Sequence, residues 1–253
     1  MKLKYALVDG KREESRPKLR GACPNCEREV IAKCGQQRIW HWAHLGKLEC
    51  DHWWEPETEW HRSWKSLFPQ EWQEIVHIAA DGERHIADVK TGADLVVEFQ
   101  HSPITPDERH SRENFYKPMI WVVDGVRFKR DPDAFRRALK DCLVVNENPL
   151  LLKPSAGNTA LFRRWAPIQS PVFIDFGDEG FEIRGFPLPQ PVLWRLYLQE
   201  GTDNVLIAAV TRESFLNHCL NGGELQHLTL VRYEQPRGRT RPLHQLYGRR
   251  RRF

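Results

Sequence analysis

Apolar and polar positions change period several times along this chain, and each change marks an element. Trp60, Trp64 and Leu67 recur at helical spacing behind Pro56. They predict a helix over 57–68 with one stripe turned to a core. Strand-like segments follow: 72–79 alternates with period two, Asp81-Gly82 offers a hairpin turn, 84–90 alternates again, and Thr91-Gly92 turns the chain into 94–100. The run Leu95-Val96-Val97 suits a central strand covered on both faces. Thr105 and Pro106 open a helix to 116, 119–124 is a further apolar strand, and Asp131-Pro132 opens a helix to 141. This order predicts a mixed sheet flanked by helices, its last strand returning beside the third by a right-handed crossover.

Beyond residue 143, prolines at 149, 154, 167, 171, 187, 189 and 191 interrupt the pattern. Strand-like runs lie within 172–177, 181–186, 192–198 and 204–210, and a short helix fits 212–220. The reading is an α+β chain in four parts: a metal-binding module at 1–52, opening with a short strand and a loop, a mixed-sheet domain at 53–142, a separate β-rich unit at 143–236 and a tail at 237–253.

Composition adds little until its distribution is considered. With 40% hydrophobic and 28% charged residues, the 253-residue chain has ordinary globular composition. No apolar run reaches the roughly 18 residues of a membrane span, and the N-terminus lacks a signal-like apolar stretch. No membrane partner and a cytoplasmic location are therefore expected. Net charge is +4, yet seven arginines and no carboxylate lie between Arg237 and Arg252. The basic character belongs to the tail, where Arg249, Arg250 and Arg251 are candidate phosphate contacts through counterion release. A solvated terminus is the plainer reading.

Four of the six cysteines (Cys23, Cys26, Cys34 and Cys50) lie among histidines in the first fifth of the chain. In a cytosolic protein this clustering favours metal over disulfide. A CPxC turn presents two thiolates to one Zn²⁺. His44 with Cys50 completes a tetrahedral set; His41 with His44 is the alternative, and Cys34, expected in a hairpin, is the weaker candidate. Four protein ligands make a structural zinc. Cys142 and Cys219 read as buried small hydrophobes.

Asp88 and Glu98 fall in adjacent strands joined by a tight turn, and Gln100 shares a face with Glu98. Two carboxylates so placed suit Mg²⁺ or Mn²⁺, hard cations that prefer oxygen ligands. Glu98 follows three apolar residues, a costly place for an unpaired carboxylate. On the preceding helix, Glu57, His61 and Lys65 stand at i, i+4 and i+8, one face that could add a carboxylate, a proton carrier and a cation; Glu55 and Glu59 lie off that stripe. Each motif alone is weak, and a charged helical face is usually only solvated. Arg112 is a candidate phosphate contact, with a salt bridge to Glu108 as the competing reading.

These motifs in order resemble the competence protein CoiA-like nucleases. The resemblance rests on CPxC, HWAH, the following cysteine, PETxxH with Lys65, Ala87-Asp88-Val89, the VEFQHS run 97–102, and a helix with Arg112 and Tyr116 before IWVVD at 120–124. It covers roughly residues 20 to 125. It implies a restriction-endonuclease-like core of the PD-(D/E)xK type, with Gln100 where a lysine usually stands. The implied catalytic set is Glu57, Asp88, Glu98 and Gln100, with His61 and Lys65 accessory. The substrate implied is DNA, single- or double-stranded, in uptake, repair or anti-phage defence, and a homodimer or a partner protein is compatible. A catalytically silent nucleic-acid-binding module and a zinc-stapled adaptor are the competing readings.

Overall fold

A computed structural model describes residues 2–46, 50–155, 160–183, 186–188, 191–198 and 205–229. The arginine-rich tail, with Arg249, Arg250 and Arg251, lies outside the described residues.

The N-terminal segment is more than the expected strand and loop. Strands β1 (Lys2–Leu3), β2 (Tyr5–Val8), β3 (Lys11–Glu14), β4 (Arg20–Ala22), β5 (Glu29–Lys33) and β6 (His41–His44) build one antiparallel sheet in the order β1-β6-β5-β4-β2-β3. Leu3, Ala6, Cys23, Val30 and Trp42 form its small core. The Trp42 indole N–H is satisfied by the carbonyl of Glu13 at 2.9 Å, which lets a large ring be fully buried.

The remainder runs α1 (Glu59–Lys65), a 3₁₀ turn at Gln70–Trp72, β7 (Gln73–Ile78), β8 (Arg84–Lys90), β9 (Val96–Gln100), α2 (Pro106–Phe115), β10 (Met119–Asp124) and α3 (Asp131–Lys140). It continues with β11 (Leu143–Glu147), β12 (Leu150–Lys153), α4 (Ala160–Trp165), β13 (Val172–Asp175), β14 (Glu182–Ile183), β15 (Phe186–Pro187), β16 (Val192–Leu198), β17 (Val205–Thr211) and α5 (Arg212–Asn221). Nine of these strands make one mixed sheet, β11-β12-β17-β16-β13-β10-β9-β8-β7. Its centre is parallel: β10 pairs with β9 on one side and β13 on the other.

Five strands after residue 143 (β11, β12, β13, β16 and β17) therefore extend the sheet of β7–β10, while β14 and β15 pair only with each other, and the expected separate β-rich unit is largely part of the large sheet. The reason is the buried centre. All six residues of β10 are buried, so both of its edges need hydrogen-bonding partners. The residues before 119 supply β9 for one edge, and only the later chain supplies β13 for the other. Pro149, Pro154, Pro167 and Pro191 lie between strands and helices, and Pro171 joins the ladder by accepting from the Trp121 N–H at 2.9 Å.

Side chains alternate between two cores, as period two requires. Trp121 and Val123 face the core that holds Phe135 of α3 and Leu161 and Trp165 of α4. Ile120 and Val122 face the opposite core, with Trp64 of α1 and Phe215 of α5. Cys142 and Cys219 are buried in these cores, one in each.

The small sheet is tied to the large one through Glu74. Its Oε2 accepts from the N–H groups of Lys4 at 2.9 Å and Tyr5 at 3.2 Å. Glu74 has a left-handed backbone (φ 48°), an uncommon conformation for a residue with a side chain. The neighbouring pairs Gln73–Val89 and Ile75–Ala87 keep register around it.

Candidate functional site

The CPxC turn leaves β4, and β6 runs back beside β5, so that Cys23, Cys26, His44 and Cys50 converge. One ligand atom from each lies within 4.8 Å of all the others. Cys23 Sγ and Cys50 Sγ are 3.7 Å apart, close to the ~3.8 Å expected of two sulfurs in a tetrahedron with Zn–S bonds of about 2.3 Å. Cys26 Sγ lies 3.2 Å from His44 Nε2. A hydrogen bond from Cys50 lowers the Cys23 thiol to about 5, while holding that shared proton pushes Cys50 upward. Thiols this crowded, one already inclined to ionise, suit a divalent cation, and this Cys₃His cluster could hold zinc. His41 is not part of it. Residues three apart on a strand face opposite sides, and His41 instead lines a groove with Arg38, Glu57 and Arg62. Cys34 lies past the end of β5 and outside the cluster.

The second centre lies where β8 and β9 splay. By register Asp88 would pair with Glu98, but side chains replace the ladder. Asp88 N–H donates to Glu98 Oε1 at 3.0 Å, and Phe99 N–H donates to Asp88 Oδ2 at 3.0 Å. Lys65 enters from α1 and is buried. Its ammonium lies 2.7 Å from Glu57, 2.9 Å from Glu74 and 3.8 Å from Asp88. Burial pulls the Lys65 ammonium down, yet Glu74, Asp88 and Glu57 together lift it above its ordinary value. Burial likewise works to raise Glu57, but Lys65 and Arg62 hold its carboxyl below the usual range. Glu98 goes the other way: burial first, then the charge of Asp88, push it up to about 8, against the pull of Arg112. Asp88, Glu98, Glu57, Lys65 and His61 all line one cleft between the two sheets.

Several expected placements need correction. Glu57 is not on the helix: Thr58 caps α1, and its hydroxyl accepts from the His61 N–H at 3.3 Å. Glu57 reaches Lys65 from the chain just before that cap. His61 is locked into the cap, its Nδ1 2.9 Å from Thr58 Oγ1, and burial lowers its basicity. Gln100 does not turn its amide towards Asp88 and Glu98. It donates to Glu55, which the helical stripe had set aside, and to the carbonyl of Ser102 at 2.9 Å. Gln100 thus walls a neighbouring cleft.

Arg112, expected at a phosphate, is buried. It contacts Glu98 at 3.3 Å, Glu108 at 2.5 Å and the carbonyl of Trp53 at 2.6 Å. Of the two earlier readings the ion pair to Glu108 is present, and it extends to Glu98. These bonds need the whole guanidinium fork inside the protein.

Three groups escaped the sequence reading. Glu74 belongs to the ion cluster, although its alternating strand looked unremarkable. Asp51 accepts from Trp53 N–H at 3.0 Å and Ile86 N–H at 2.8 Å and pairs with His85 at 2.8 Å. His101 stands directly after Gln100 with Nδ1 2.6 Å from buried Asp124. Only the last had a signal, since the VEFQHS run includes it.

Fold and sites together define a mixed α+β protein: a small sheet with a Cys₃His cluster set against a large sheet with a lysine–carboxylate centre. Residues 10–52 match the family model of the competence protein CoiA N-terminal domain, so this segment is similar to that domain. No curated protein and no solved structure matches the chain. Among the described residues no helix is long and apolar enough to cross a membrane.

Proposed function

We propose that the chain is a metal-dependent nuclease acting on DNA, with the Cys₃His zinc as a structural staple. The observation that carries this reading is the convergence of Asp88, Glu98 and Lys65 from three elements on one cleft. The N-terminal match to a competence family supports DNA as the substrate. Asp88 and Glu98, with the backbone carbonyl beside Glu98, would hold Mg²⁺ or Mn²⁺. The fit rests on Glu98, whose carboxyl is driven towards its neutral form because the Arg112 guanidinium and the Asp88 N–H offset only part of its burial and the Asp88 charge; a divalent cation reverses that balance. Such a cation polarises the phosphodiester and acidifies a bound water.

The chain's own groups do the rest. Lys65 sits 3.8 Å from Asp88 and supplies the positive charge for which Gln100 has no counterpart. Glu57 and Glu74 hold that ammonium in place. Arg112 orients Glu98 from behind. The test is cleavage of supercoiled plasmid and of a labelled single strand with Mg²⁺, with Mn²⁺ and with EDTA, wild type beside Glu98→Ala. Metal-dependent cutting that disappears in the variant is the expected outcome. Cutting that survives in Glu98→Ala sinks the assignment, and none by the wild type favours a silent binding module.

A further inference from the structure

With Arg112 committed to the interior, a nucleic-acid substrate needs another handle near the cleft. The loop 125–130 (GVRFKR) leaves the C-terminal end of β10 and leads into α3. Its residues Val126, Arg127, Phe128, Lys129 and Arg130 are all exposed. Phe128 keeps 39% of its surface in solvent, a state few large hydrophobics here share. Its ring is flanked by guanidinium groups, Arg164 at 4.6 Å and Arg127 at 5.6 Å from the centroid. Arg164 is paired to Asp131. Among the described residues, no carboxylate pairs with Arg127, Lys129 or Arg130. Of the acids at the loop's two ends, Asp131 is taken up by Arg164, and Asp124 by His101 and by the Val126 N–H at 2.9 Å.

The position of this loop matters as much as its chemistry. Phe128, Arg127 and Arg164 line a cleft with Gln100 and His101. Gln100 is bonded to Glu55, and Glu55 lines the cleft of Asp88 and Glu98. The two clefts are thus separated by one side-chain pair.

We infer that the loop 125–130 is a single-strand-binding platform, with Phe128 stacking on an unpaired base and Arg127, Lys129 and Arg130 on flanking phosphates. An exposed aromatic ring with cations beside it stacks on any base and is indifferent to sequence. Bases in a duplex stack on one another and present no face to it. The inference deepens the nuclease reading, from which it takes only the neighbouring site. It would commit that site to single strands, or to a strand end separated from its complement.

Fluorescence anisotropy of a labelled oligonucleotide and of the matching duplex, without added divalent cation, tests this directly. Phe128→Ala is expected to weaken single-strand binding about tenfold, to spare Phe128→Tyr, and to leave duplex affinity unchanged. Replacing Arg127, Lys129 and Arg130 together by Ala is expected to flatten the log–log salt dependence by about 2. Unaltered single-strand affinity in Phe128→Ala, or no single-strand affinity in the wild type, overturns the inference. Cleavage lost in Glu98→Ala alongside unaltered binding in Phe128→Ala would keep the nuclease and reject the platform. Binding lost in Phe128→Ala by a chain that never cuts would do the reverse.

Discussion

At the scale of single residues, the most informative groups are charged side chains inside the protein. Lys65 is tolerated there because three carboxylates surround it, and removing the lysine would leave those carboxylates facing one another at low dielectric. His85 shows the same logic beside the cleft, whose wall its partners Asp51 and Trp53 form. Its two nitrogens lie 2.8 Å from Asp51 and 3.0 Å from Glu83, and its ring stacks on Trp53 with centroids 3.4 Å apart. Burial lowers its basicity, but the two carboxylates outweigh burial and raise it above 6.5. A raised histidine binds its proton more tightly folded than unfolded. Its stabilisation is therefore complete below the unfolded value of about 6.5 and is lost as pH climbs through the folded value. Melting temperatures of wild type and His85→Asn should converge as pH is raised from about 6 to about 9. A difference that stays constant over that range would show that the imidazolium contributes nothing.

At the scale of elements, α1 has only seven residues, yet it delivers both Lys65 and the apolar Trp64. So short a helix depends on its cap and its packing more than on propensity. The cap is reciprocal: Thr58 Oγ1 accepts from His61 N–H at 3.3 Å, and Thr58 N–H donates to His61 Nδ1 at 3.3 Å. Histidine fills the place where glutamate or glutamine usually closes such a box. Thr58→Ala should cost about 1 kcal/mol in urea unfolding and speed hydrogen exchange within α1. Exchange left at wild-type rates would mean that Trp64 packing alone holds the helix. Gly125 marks the far end of β10 in a different way. A Cβ there would lie 2.7 Å from Ile174 and Phe176, so the turn into the basic loop needs glycine for close approach.

The nine-stranded sheet governs the molecule as a whole. β13 covers the second edge of β10, and Val172, Ile174 and Trp194 share a core with Trp121. A chain ending at residue 142 would expose that edge and lose much of that core. It should fail to melt cooperatively and should aggregate when expressed. A soluble monomer with a sigmoidal melt would show that the first half is self-sufficient. Glu74 acts at this scale too, since one carboxylate joins Lys4 and Tyr5 of the small sheet to Lys65 at the cleft.

The sequence by itself determined what local periodicity and motif spacing can encode. The meander β7–β9, the capped start of α2, the apolar β10, the Cys23/Cys26 turn with His44 and the Asp88–Glu98 pairing follow from short-range rules, while the choice of Cys50 over His41 came with the fold. Tertiary structure decided what depends on partners distant in the chain. Whether β13 joins β10, whether Gln100 faces Glu98 or Glu55, and whether Arg112 faces solvent or Trp53 are choices among contacts tens of residues apart. Burial energies select among those contacts, and no window of sequence contains both sides of them.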